Sequence, residues 1–136
     1  MLIALNILSS ALQTFAEFTN EPDVQIQTVQ TFLIIADQGN PGVNELARRI
    51  ALTQPSASRN LRKLCVAPRG QEGYGLISME LDPLDHRRKI IRLTARGHEL
   101  VRLIEEAMCR VLAPTLFDSP SNHSHSHNKY PPCVTQ

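Results

Sequence analysis

Between residues 54 and 63 the chain gathers amides, hydroxyls and cations in one short stretch: Gln54, Pro55, Ser56, Ser58, Arg59, Asn60, Arg62 and Lys63. Further along, Arg87, Arg88 and Lys89 follow the turn-like run Asp82-Pro83-Leu84-Asp85-His86. Guanidinium groups grip phosphate oxygens or a guanine edge in a bidentate fork, and amides and hydroxyls read other base edges. Such residues suit recognition of double-stranded DNA. They do not suit bond-making: no nucleophile has a plausible base, no glycine loop cradles phosphate, and no carboxylates converge. The chain is therefore not expected to be an enzyme, and no cofactor is implied.

Two further groups have plainer readings. His123, His125 and His127 alternate with serine, but no fourth ligand or fixed geometry accompanies them, so no metal site is expected. The three cysteines, Cys65, Cys109 and Cys133, lie far apart and form no C-x-x-C spacing. They suggest neither a disulfide framework nor zinc, which fits a reducing, cytoplasmic setting. Cys65 is expected to be a buried structural thiol.

The charge is unevenly distributed. Residues 1–40 hold four acidic residues and no Lys or Arg, whereas residues 41–102 hold twelve basic residues, ten of them Arg, against six acidic ones. The overall net charge of +1 thus hides a basic middle segment. An Arg-dominated segment of this kind suits phosphate contact, although a solvated mixed surface has a similar composition.

These residues need positioning. Thr53 is a good N-cap, and Pro55 is tolerated in the first turn of a helix running to about Cys65. A short helix over 43–52, with Leu46, Ala47 and Ile50 on one face, precedes it across a tight turn, which is a helix-turn-helix arrangement. Residues 76–81 and 89–93 read as the strands of a hairpin, with its charged tip between them. Upstream, Val29, Phe32, Leu33 and Ala36 give a helix its face, and Gly39-Asn40-Pro41-Gly42 stops it.

At the N-terminus Leu5, Leu8, Leu12 and Phe15 recur at helical spacing. The apolar run there is interrupted by Asn6, Gln13 and Glu17 and falls short of a bilayer span. Near the other end Leu100, Leu103, Ile104 and Ala107 line a helix capped by Thr94 and expected to stop at Pro114. The fold class is thus mainly α with a small β-hairpin, a winged helix-turn-helix in one domain over 1–115. Its DNA-binding lobe spans 24–93, and helices over 1–20 and 95–113 are expected to pair two subunits. Residues 116–136, rich in Ser, Asn, His and Pro, are expected to be a disordered tail.

The run from Gly75 to Gly97 resembles the wing and following helix start of the MarR family, whose pattern D-x-R, five residues, L-T-x-x-G is met by Asp85, Arg87, Leu93, Thr94 and Gly97. The run from Asn44 to Leu64 resembles that family's helix-turn-helix, so the likeness spans roughly 24–112. It implies that Pro55, Ser56 and Arg59 touch bases, with Gln54, Asn60, Arg62 and Lys63 as accessible neighbours. It also implies that Arg87 enters the minor groove, and that Asp85 pairs with a nearby arginine to hold the wing in shape. The chain departs from the pattern in the longer loop around Arg69, a feature shared with phage-borne relatives.

The expected function is a homodimeric, sequence-specific DNA-binding transcriptional regulator. A repressor is favoured because blocking a promoter requires only occupancy. Helix 54–65 would read the major groove and the wing at 82–89 the minor groove, and twofold symmetry implies a pseudo-palindromic site. A small-molecule effector is compatible with the pattern, but no residue identifies its chemistry. The alternatives are a non-specific or architectural DNA binder, for example in phage replication, and a winged-helix module that binds protein.

Overall fold

Helix ends here follow from local chemistry. A computed structural model describes the backbone over 2–67 and 73–117, with side chains as far as Ala113. The elements are α1 (Leu2–Thr19), α2 (Ile26–Gln38), α3 (Val43–Arg49), α4 (Gln54–Leu64), β1 (Ile77–Leu81), β2 (Lys89–Leu93) and α5 (Ala95–Phe117). The Thr53 side chain accepts the Ser56 N–H at 3.4 Å and so caps α4, next to Pro55 in the first turn. Gly39, with φ of 81°, closes α2 by donating to the Ile35 carbonyl. Between α3 and α4 the sharp bend falls on Ala51, whose φ of 54° is the left-handed conformation glycine usually supplies.

β1 and β2 form an antiparallel hairpin in which Ile77 pairs with Leu93 and Leu81 with Lys89. A mainly helical chain carrying a two-stranded wing is the winged-helix arrangement expected from the sequence. The hairpin's inner side is also tied to the loop after α2, since the Ile91 N–H donates to Asn40 Oδ1 at 2.8 Å. Asn40 thereby satisfies a backbone donor at the sheet edge, a role that its place in a turn motif did not announce.

The core lies where α1, α2, α4, the hairpin and α5 meet. Phe15, Phe32, Ile35, Leu46, Leu64, Leu76, Ile77, Ile91 and Leu100 are all fully buried there. Phe15 stacks edge-on against Phe32, with centroids 5.5 Å apart, and against Tyr74 at 6.4 Å. On α2 the buried residues are Thr28, Val29, Thr31, Phe32 and Ile35, while Leu33 is exposed. The expected face was therefore rotated: Thr28, Phe32 and Ile35 keep the spacing of four and three that one helix side requires, and Leu33 falls outside it.

Three other expectations change. The apolar length of α1, 18 residues at mean hydropathy 1.2, does reach what a membrane span needs. Core helices and N-terminal signal sequences pass the same test; α1 packs along α5, and Phe15 is its one buried residue. Helix α5 does not stop at Pro114 but continues to Phe117. Proline forfeits one helix hydrogen bond, yet its fixed φ is itself helical, so the chain can continue for a further turn. The expected contact residues Phe15, Leu100 and Ile104 are buried within the subunit, because α1 and α5 cover one another and the lobe. Arg69 and the segment from 118 onward, with its three alternating histidines and Cys133, lie outside the described residues.

The junction between wing and α5 gives the Leu93-Thr94-x-x-Gly97 pattern its physical meaning. Thr94 Oγ1 donates to the Gly75 carbonyl at 2.6 Å and accepts the Gly97 N–H at 3.1 Å, capping α5. A Cβ on Gly97 would stand 2.1 Å from the Leu76 carbonyl oxygen, so only glycine permits this approach of helix to strand. Substituting Gly97→Ala is expected to cost about 3 kcal/mol, the obstacle being backbone and not a movable side chain. Urea unfolding of the two proteins checks this, and equal midpoints would refute it.

Candidate nucleic-acid interface

Helix α4 divides into an inner and an outer face. Ala57, Asn60, Leu61 and Leu64 are buried, whereas Gln54, Pro55, Arg59 and Arg62 are exposed, and Ser56, Ser58 and Lys63 are half-buried. The outer face is ordered along its first turns: Thr53 Oγ1 donates to Ser56 Oγ at 3.0 Å, and Arg59 Nη2 donates to the same oxygen at 3.3 Å. Gln54 Nε2 donates to Asn44 Oδ1, which joins the starts of α3 and α4. Asn44 has no special spacing in the sequence and was not among the expected site residues.

Asn60 is not an accessible reader of bases. It is only 8% exposed, accepts from Thr28 Oγ1 at 2.7 Å and donates from Nδ2 to the Ser56 carbonyl at 3.2 Å. The pair fixes α4 against α2, and its partner lies 32 residues away in sequence, so no local pattern could reveal it. Lys63 also turns away from the outer face. Its Nζ lies 3.8 Å from Glu21 Oε2 and 5.6 Å from the centre of the Tyr74 ring. Tyr74 in turn donates to Glu21 at 3.0 Å; burial and this carboxylate push its phenol pKa well up.

The wing tip is held by its own backbone. Asp82 N–H donates to the Arg88 carbonyl at 3.0 Å, and Arg88 N–H donates to the Asp85 carbonyl at 2.9 Å. Asp85 Oδ1 accepts the Arg87 N–H at 3.0 Å. Asp85 therefore shapes the wing by a different means from the expected ion pair. Among the described residues no arginine stands within ion-pair distance of its carboxylate. Arg87, Arg88 and Lys89 are exposed.

These elements meet. One groove is lined by Val43, Ser58, Leu61, Arg62, Met79 and Lys89, and the adjoining one by Gly42, Val43, Asn44, Arg87, Arg88 and Lys89. The start of α3, the outer side of α4 and the basic tip of the wing thus border a continuous surface. At the end of α4, Cys65 is half-buried, and burial pushes its thiol pKa up in spite of Lys89 nearby, so the protonated form is favoured.

No protein-family model matches the sequence, and a search of curated proteins finds no similar one. Solved structures do resemble it. The transcriptional regulator Tm0710 from Thermotoga maritima shares 16% identity over 85% of this chain and 74% of its own, with a TM-score of 0.68. The S. aureus MepR–DNA complex shares 24% over 85% and 86%, at 0.64. MarR shares 27% over 82% and 77%, at 0.54. The chain has the winged-helix fold of MarR-type regulators.

The Thr28–Asn60 pair makes a clear expectation. Asn60→Ala leaves the Thr28 hydroxyl buried without its acceptor and is expected to cost roughly 2 kcal/mol, whereas joint replacement by Thr28→Val and Asn60→Leu should recover part of the loss. A double-mutant cycle in denaturant measures both, and additive losses would show that the pair is not coupled.

Proposed function

We propose that this chain is a dimeric, sequence-specific regulator of transcription that binds double-stranded DNA and represses by occupying its site. The observation that carries this reading is the shared surface of the α3 start, α4 and the wing tip, bordered by Asn44, Ser58, Arg62, Arg87, Arg88 and Lys89. A major groove admits one helix, so Gln54, Pro55, Ser56, Arg59 and Arg62 on α4 meet base edges and phosphates while Arg87 follows the minor groove. The likeness to S. aureus MepR, solved as a DNA complex, supports the same pose.

Dimer formation falls to the part of α1 that its own subunit leaves bare. Leu2, Leu5 and Leu8 are 77%, 59% and 57% exposed, a series of large apolar side chains on the N-terminal half of a helix that packs against α5. A second copy would cover them. Half-buried Leu12, Leu103 and Ala107 lie next to that surface, and Phe15, Leu100 and Ile104 support it from within. The terminal helices then form a dimerisation region, and the lobe over 24–93 carries the DNA contacts on a pseudo-palindromic site.

Two measurements test this. Arg59→Ala and Arg87→Ala are each expected to weaken binding to a duplex selected from a random pool by roughly tenfold to a hundredfold, with the dimer intact by sedimentation. Unchanged affinity in both variants would overturn the groove-and-wing arrangement, and affinity equal for selected and random competitor would make the protein an architectural binder. Separately, Leu5→Asp with Leu8→Asp is expected to yield a folded monomer, each leucine contributing roughly 2 kcal/mol when covered. A dimer surviving this change would place the interface elsewhere.

A further inference from the structure

The wing tip carries a side chain that neither the charge pattern nor the groove surface accounts for. Leu84 is 96% exposed, more than any other large apolar residue described, and it sits among exposed His86, Arg87, Arg88 and Lys89. It is also held out. The Leu84 N–H donates to Asp82 Oδ1 at 2.8 Å, and the Arg87 N–H donates to Asp85 Oδ1 at 3.0 Å, so a carboxylate pins the backbone on either side. The cross-turn bonds from Asp82 N–H to the Arg88 carbonyl and from Arg88 N–H to the Asp85 carbonyl close the loop beneath it. Pro83 fixes its own φ just before it. Both aspartates thereby turn an oxygen onto the tip's own backbone, and the leucine side chain projects beyond it.

We propose that Leu84 is an apolar wedge that enters the minor groove with the wing and partly unstacks one base step. The inference rests on the DNA-binding reading above. A minor groove about 6 Å wide admits a hairpin tip but not a helix, and a leucine projecting from a cationic tip has the form of the side chains that kink duplexes from that side. Unstacking is least costly at pyrimidine–purine steps, so the subsite takes a TA or CA/TG step in each outer part of the operator. Leu84 thus adds specificity at a position where Arg87 and Arg88, as phosphate and groove-floor contacts, discriminate little.

The test uses the full chain and a duplex selected by it, with 2-aminopurine placed singly at each position under the wing. Wild type is expected to raise the fluorescence at one step per half-site. Leu84→Ala should abolish that rise, weaken binding roughly tenfold and lose the preference for pyrimidine–purine steps, while Leu84→Met retains the rise. Thermal unfolding of both variants should match wild type, because the residue is exposed. If wild type binds and Arg87→Ala weakens it, yet no step under the wing brightens, the wedge is overturned and the DNA-binding reading stands. A rise that persists in Leu84→Ala overturns the wedge equally. So does a Leu84→Ala variant that keeps wild-type affinity and step preference but fails to control a reporter promoter, which would make the leucine a protein contact. If wild type selects no duplex, both readings fall.

Discussion

The geometry of the whole lobe depends on how closely α5 can approach the strand that leads into the wing. Leu76 is the meeting point: its N–H donates to the Leu64 carbonyl at the end of α4, and its own carbonyl accepts the Thr94 N–H. One fully buried residue therefore connects the end of α4, the hairpin and the cap of α5 through its backbone. Gly97 makes the approach sterically possible, and Thr94 supplies the side-chain bonds that hold it. Arg96 extends the same junction to α1, donating to the carbonyls of Tyr74 and Phe18 and lying 4.4 Å from the centre of the Phe18 ring. Were this approach looser, α4 and the wing would lose their fixed relation, and a shared groove surface with them.

Much of this was legible because the constraints are local. A threonine cap, a proline in a first turn and a pattern of Asp85, Arg87, Leu93, Thr94 and Gly97 each act within a few residues, and the hairpin strands came out where alternation placed them. What was misread depends on distant partners. Asn60 shows the same polar face on a helical wheel as Ser56, and only the Thr28 hydroxyl across the lobe decides that it turns inward. Lys63 is drawn off the outer face by Glu21 and Tyr74, residues far from it in the chain. Asp85 was expected to pair with an arginine; the bond that forms is to a backbone N–H two residues on.

The terminal helices show why an apolar stripe does not by itself name its partner. Leu5, Leu8, Leu12 and Phe15 form one continuous stripe in sequence, yet exposure falls along it from 59% at Leu5 to zero at Phe15. The C-terminal half of α1 lies over the lobe beside α5 and Tyr74, so its apolar residues become core. On the N-terminal half Leu2, Leu5 and Leu8 are exposed. Periodicity fixes which side of a helix is apolar, but the placement of the neighbouring elements fixes how much of that side is covered.

The same dependence on partners sharpens the meaning of the basic middle segment. Several of its cations are already committed: Arg48 to Glu45, Lys63 to Glu21, Arg102 to Glu99 and Glu106, and Arg96 to two backbone carbonyls. Among the described residues of this segment Arg49, Arg59, Arg62, Arg87, Arg88, Lys89 and Arg92 have no carboxylate within ion-pair distance, and all of these but Arg49 lie on α4 and the wing. Surface ion pairs contribute little to stability, so their uneven placement matters more for the field the protein projects than for the fold. The pairs lie within α3 and α5 and between Lys63 and Glu21, and they leave the arginines of α4 and the wing uncompensated. A modest overall charge is thereby turned into a local cationic strip, which is the form that attraction to a phosphate backbone requires.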